Sequence, residues 1–125
     1  MSKTAADLVR EAESRIETVR PEQIADDVRS GEVLVVDVRD PDEWQKGHIP
    51  EAMHASRGML EFKADPNTPY YDDRLGTDKR LVVHCTKGLR GALAAATLKD
   101  MGYEKVANLE GGFDAWKEAG LPVDE

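Results

Sequence analysis

The sequence is short of cysteine, of basic residues and of long apolar runs, and each shortage excludes something. Its 125 residues include one cysteine, Cys85. A lone cysteine closes no internal disulfide, so a disulfide-framed secreted module is excluded. Nor does it build a four-cysteine structural zinc site, and three scattered histidines show no metal-ligand spacing. Lysine and arginine number 17 against 25 aspartates and glutamates, a formal charge of −8. Phosphates would be repelled over most of such a surface, which argues against nucleic acid or an anionic membrane as a partner. No apolar stretch approaches the roughly 18 residues of a membrane span. The segment Met1 to Leu8 is polar and carries Asp7, unlike a signal peptide. The length suits one domain, which buries about two-thirds of its unfolded surface at this size. The expectation is a small, soluble, acidic, cytoplasmic domain. What composition leaves open is whether Cys85 packs or reacts.

Strands and helices alternate along the chain. Ala5, Leu8, Val9, Ala12, Ile16 and Val19 follow helical spacing, which makes residues 1–19 a helical extension ahead of a domain over 20–125. Ile16 to Val19 also alternates like a short strand. The extension either covers a sheet edge or makes a dimer contact. Glu22 to Ser30 reads as a helix stopped by Gly31. Val33 to Val36 is a β-branched and aliphatic run of the kind buried on both faces of a parallel sheet. Asp40-Pro41-Asp42-Glu43 opens a short helix with a cap, a proline and two acids. Ala52 to Ala55 reads as a short strand, Met59 to Lys63 as a helical turn or two, and Asp65 to Asp78 as the longest loop. Arg80 to His84 is a second buried strand, Gly88 to Met101 an alanine-rich helix, Lys105 to Leu109 a further strand, and Phe113 to Ala119 a last helix. This order predicts an α/β fold with a parallel sheet and helices on both faces.

Cys85 falls where one of those strands ends and a helix begins, the end at which open α/β sheets bind ligands. The loop reads Cys85-Thr86-Lys87-Gly88-Leu89-Arg90. A tight strand-to-helix turn points backbone N–H groups inward as an anion cradle. Gly88 lets the backbone come close, and Lys87 and Arg90 add positive charge. A thiol in that field is favoured as the thiolate, the nucleophilic form.

The same residues resemble the rhodanese-like sulfurtransferases, over about Arg20 to Val123. Leu34-Val35-Val36-Asp37-Val38-Arg39, then Glu43-Trp44 and Gly47-His48-Ile49-Pro50, resemble that family's first signature. Cys85 to Arg90 resembles its active-site loop. Val106 to Trp116, followed by Gly120-Leu121-Pro122-Val123, is similar to its C-terminal signature. Glu51 departs from the pattern, which has glycine there. The resemblance implies a rhodanese-like sheet of about five parallel strands. It implies that the Cys85 thiolate takes the outer sulfur of thiosulfate or another small anionic donor. The persulfide then passes its sulfur to cyanide, a thiol or a protein acceptor. Thr86, Lys87, Gly88, Leu89 and Arg90 would bind the substrate, with Arg57 at the rim of the pocket. No metal or organic cofactor is implied.

Rival readings share parts of this loop. His84-Cys85-x-x-Gly88 also resembles the cysteine-phosphatase loop, but those enzymes place five residues between cysteine and arginine, and here there are four. Arsenate reduction generally wants a longer loop too, and a resolving thiol that this chain would have to borrow. A scaffold without activity tends to lack the cysteine or the basic residues. A persulfide carrier for one protein partner would use the same Cys85 chemistry. Elsewhere the residues read as structural. Arg39 and Glu43 are spaced for an ion pair across a helix start. Asp37 is structural with them, and His48 is a hydrogen-bonded turn residue. His84 turns to the face opposite Cys85 by strand alternation. Trp44 and Trp116 read as core anchors.

Overall fold

The computed structural model describes residues 2–76 and 78–125. Five parallel strands form one sheet in the order β1-β5-β4-β2-β3: β1 (Glu17–Val19), β2 (Val33–Asp37), β3 (Met53–His54), β4 (Arg80–His84) and β5 (Val106–Leu109). Among the described residues, six α-helices connect and cover them: α1 (Ala5–Glu13), α2 (Pro21–Ser30), α3 (Pro41–Lys46), α4 (Leu60–Ala64), α5 (Leu89–Asp100) and α6 (Gly112–Glu118).

Strand alternation sorts the core into two layers. Leu34, Val36, Leu81, Val83 and Val106 point to the face covered by α4 and α5, where Ala94, Ala95 and Leu98 meet them. Val33, Val35, Val82, Ala107 and Leu109 point to the other, against Ile24 and Val28 of α2 and Phe113 and Trp116 of α6. All five residues of β2 are buried, as a continuous apolar run in a central parallel strand requires.

The N-terminal segment differs from a helix over residues 1–19. α1 stops at Glu13, and Glu17–Val19 is the edge strand β1, paired with β5. The β-branched Thr18 and Val19 follow the period-two option rather than the helical one. α1 lies on α5, with Ala12 packed against Ala92 and Ala96. Small residues on both sides let these two helices approach closely. Between α4 and β4 the long loop holds a 3-10 turn, Asp73–Gly76, that buries Leu75. Glu51 has φ of +66°, a left-handed turn at the one place where the sequence departs from the expected glycine. Among the described residues, no helix is long and apolar enough to cross a membrane.

Candidate active site

β4 delivers Cys85 to the carboxyl edge of the sheet, and α5 leaves from Leu89 four residues later. Gly88 makes the turn at φ of +108°, a conformation L side chains rarely adopt, and it is the N-cap of α5. Its N–H donates to Cys85 Sγ at 3.1 Å. Cys85 is 2% exposed and lines an open cleft of about 380 Å³. Glu43, Cys85, Thr86, Lys87, Leu89 and Arg90 line this cleft. A larger depression of about 490 Å³ beside α2 and β2 holds no cysteine or histidine. The loop residues expected to act together are therefore together. Arg57 is not with them. Its guanidinium donates to Glu61 at 2.8 Å and to Thr97 Oγ1 at 3.1 Å, and it lies outside the lining.

The loop is shaped by what holds its carbonyls. Cys85 O accepts from Phe113 N–H at 2.8 Å and from His84 Nδ1 at 3.0 Å. Thr86 O accepts from Asp114 N–H at 3.1 Å, and Gly88 O from Asn108 Nδ2 at 3.1 Å. With those carbonyls engaged outward, the loop's N–H groups are what remain for an anion inside the turn. Gly91 allows α5 to sit this low on the sheet. A Cβ there would collide with Asn108 Oδ1 and lie 3.3 Å from His84 Cα and 3.4 Å from Cys85 N.

His84 faces away from Cys85, as strand alternation requires, and is fully buried against Phe113. It pairs in register with Asp37 on β2, and its Nε2 lies 3.6 Å from Asp37 Oδ2. Burial pushes the His84 pKa down, against the pull of Asp37. Burial also works against ionised Asp37, but the hydrogen bonds from Arg39 and the nearby His84 outweigh it, and its pKa is lowered. Arg39 grips Asp37 with contacts of 2.8–3.1 Å, donates to Gly47 O at 2.7 Å and lies over the Phe113 ring.

Two expectations about the first signature are corrected here. Arg39 and Glu43 do not pair, because Arg39 is committed inward to Asp37. Glu43 instead reaches across to Arg90, at 3.1 and 3.2 Å, and accepts from Thr86 Oγ1 at 2.9 Å. These hydrogen bonds, that from Arg90 foremost, hold the Glu43 pKa down to about 2. Arg90 is raised in turn by Glu43. Glu43 is thus a cleft residue that the local reading missed. The available signal was its position in the first turn of α3, where its Oε1 also accepts from Asp40 N–H at 3.1 Å. Trp44 is half-buried rather than a core anchor, stacked on His48 at 3.7 Å and His54 at 5.0 Å between centroids. Trp116, 2% exposed, is in the core. His48 Nδ1 lies 3.0 Å from Trp44 O, consistent with a turn-holding role.

Lys87 pairs with Asp114 at 3.2 Å, and Leu89 is 62% exposed at the mouth. Among the described residues, no group of three histidine, cysteine or acidic side chains is placed to hold a metal. The arrangement can present one sulfur to a small molecule, with an amide already on it and an arginine close by.

A family model for the rhodanese-like domain matches residues 20–119. A sulfurtransferase of Allochromatium vinosum is 35% identical over 92 residues, covering 74% of this chain and 78% of that protein. The thiosulfate sulfurtransferase GlpE of Coxiella burnetii is 30% identical over 90 residues, covering 72% and 77%. Among solved structures, a Rhodopseudomonas palustris protein of unknown function, described as a possible tyrosine phosphatase, is 42% identical with a TM-score of 0.93. It covers 99% of this chain and is itself covered to 96%.

Proposed function

This chain belongs to the rhodanese-like domain family, and on that premise we propose that it moves a sulfane sulfur from a small donor to a thiol or cyanide through a persulfide on Cys85. The observation that carries this reading is the Gly88 N–H on Cys85 Sγ, at the start of α5 and inside a four-residue spacing to Arg90. The Cys85 thiolate attacks the outer sulfur of the donor. The new Sγ–S bond forms as the donor's S–S bond breaks, and the bond's electron pair leaves with sulfite or a thiolate. The loop amides from Thr86 to Arg90 stabilise the anionic persulfide, in the way preorganised donors stabilise developing charge. An acceptor then attacks the outer sulfur and frees Cys85. With no second cysteine in the chain, that acceptor is external. Lys87 and Arg90 line the cleft through which the donor reaches Cys85, and Arg57 stays outside the chemistry.

Phosphate-ester hydrolysis is the second reading, supported by the description of the Rhodopseudomonas palustris relative. The short spacing from Cys85 to Arg90 weighs against it, because a six-residue turn leaves a tighter cradle than a phosphate group needs. The same spacing and the lack of a second thiol weigh against arsenate reduction.

The test is mass spectrometry of the protein after exposure to thiosulfate or an organic persulfide. One added sulfur on the Cys85 peptide is expected, together with thiocyanate on adding cyanide. Cys85→Ser is expected to abolish both and to keep the fold, since a hydroxyl can still accept from Gly88 N–H. Undiminished thiocyanate formation by Cys85→Ser overturns the reading.

A further inference from the structure

The two cations expected to attract an anionic donor already hold carboxylates. Arg90 carries Glu43 at 3.1 and 3.2 Å, and the Thr86 hydroxyl donates to the same carboxylate at 2.9 Å. Lys87 carries Asp114 at 3.2 Å. These four side chains sum to no formal charge. Glu43 is also tied from its own helix, through the Asp40 N–H at 3.1 Å. A donor oxyanion seeking the Arg90 guanidinium and the Thr86 hydroxyl therefore finds the Glu43 carboxylate in that place.

Charge separates the donors that could reach Cys85. Thiosulfate brings two negative charges to a thiolate, and sulfite leaves with two. An organic hydropersulfide brings none as R–S–SH and one as R–S–S⁻. In the neutral form the thiolate bonds to the terminal sulfur, the donor's S–S bond breaks, and R–S⁻ leaves with the electron pair. The hydrogen stays on the transferred sulfur, and one negative charge is present throughout. The exposed Leu89 on the cleft offers apolar surface to an R group. Thiosulfate has nothing to place there.

We propose that Glu43 is a specificity-determining residue of the Cys85 cleft: its carboxylate fills the anion position on Arg90 and Thr86, disfavouring dianionic donors such as thiosulfate relative to organic persulfides with one charge or none. The proposal deepens the sulfur-transfer reading and rests on it.

The experiment measures kcat/KM for thiosulfate and for the persulfide of 2-mercaptoethanol, with cyanide as acceptor, and compares the ratio across variants of the full chain. Glu43→Gln is expected to raise the thiosulfate-to-persulfide ratio about tenfold, the scale of removing one nearby charge from a partly screened site. Glu43→Ala is expected to move it the same way, which keeps the test alive if one variant folds poorly. Glu43→Asp, which keeps the charge, is expected to stay within about twofold of the parent ratio. An unchanged or lower ratio in both neutral variants overturns the proposal, as does an equal rise with Glu43→Asp. If the parent protein moves sulfur from neither donor, the sulfur-transfer reading fails instead, and the proposal with it.

Discussion

His84 Nδ1 lies 3.0 Å from the carbonyl oxygen of Cys85, so the buried residue before the cysteine holds the cysteine's own backbone. A carbonyl can only accept, so the ring donates from Nδ1. The other nitrogen, Nε2, has no hydrogen-bond partner and faces Asp37, whose oxygens are engaged by Arg39. A full charge on His84 at this depth has to overcome desolvation, which is why its pKa is lowered.

This sets an early acid limb in stability. Below the ordinary histidine value of 6.5, the unfolded chain binds a proton at His84 that the folded chain resists, so stability falls as pH falls. The carboxylates act lower down. Asp37 contributes stability above 3.8 that is lost in more acid solution, and Glu43 contributes stability that is lost between 4.5 and about 2. Melting temperature against pH is expected to decline already from about pH 6.5 downward. His84→Asn, which keeps a donor near the Nδ1 position and does not titrate, is expected to flatten the limb between pH 6.5 and 5 at some cost in packing. An identical slope in the variant would place the limb on another group.

Gly91→Ala tests how closely α5 must approach β5. The added methyl meets Asn108 Oδ1, His84 Cα and Cys85 N, two of which belong to fixed backbone. The helix has to lift, and the loop lifts with it. We expect a loss of about 1–3 kcal/mol in denaturant unfolding, the range for overpacking a filled core. Sulfur transfer is expected to drop further than stability alone explains, because Gly88 N–H moves off Cys85 Sγ. A variant with parental stability and activity would show that α5 tolerates the shift.

Glu51 offers the opposite case, a residue whose replacement is expected to stabilise. A side chain at φ of +66° carries left-handed strain of about 1–2 kcal/mol. Glycine removes the strain but adds freedom to the unfolded chain. Glu51→Gly is therefore expected to gain about 0.5–1 kcal/mol, a rise of about 2–4 °C in melting temperature. Glu51 is not among the residues that line the Cys85 cleft, and unchanged donor kinetics are expected.

The sheet was legible in the sequence because Val33 to Val36 and Leu81 to Val83 are buried on both faces and leave a continuous apolar trace. The Cys85 loop was legible because its residues are contiguous. Glu43 was not, because its partner Arg90 lies 47 residues away and local spacing favoured Arg39. The choice was made by Asp37, which shares a register position with His84 and draws Arg39 inside. Trp44 was misplaced for a similar reason: a large apolar ring suggests core, while His48 and His54 give it a partner at the surface. Leu75, 1% exposed within a polar loop, leaves no periodic trace.

Loop length is the remaining discriminator, and it can be altered directly. Four residues separate Cys85 from Arg90, and α5 is held in place by Gly91 against Asn108 and by Ala92 and Ala96 against Ala12. One glycine inserted between Leu89 and Arg90 cannot be absorbed by sliding a helix locked on both sides. It must widen the turn instead. The Gly88 N–H then leaves the sulfur, and sulfur transfer is expected to fall about 10²-fold, the usual consequence of misplacing a reacting group by an ångström. The wider turn has room for a tetrahedral oxyanion, so vanadate binding measured by calorimetry is expected to strengthen. If transfer and vanadate binding both stay at the parental level, the selection between sulfur and phosphate lies in the cleft walls, Glu43 foremost, and not in the length of the loop.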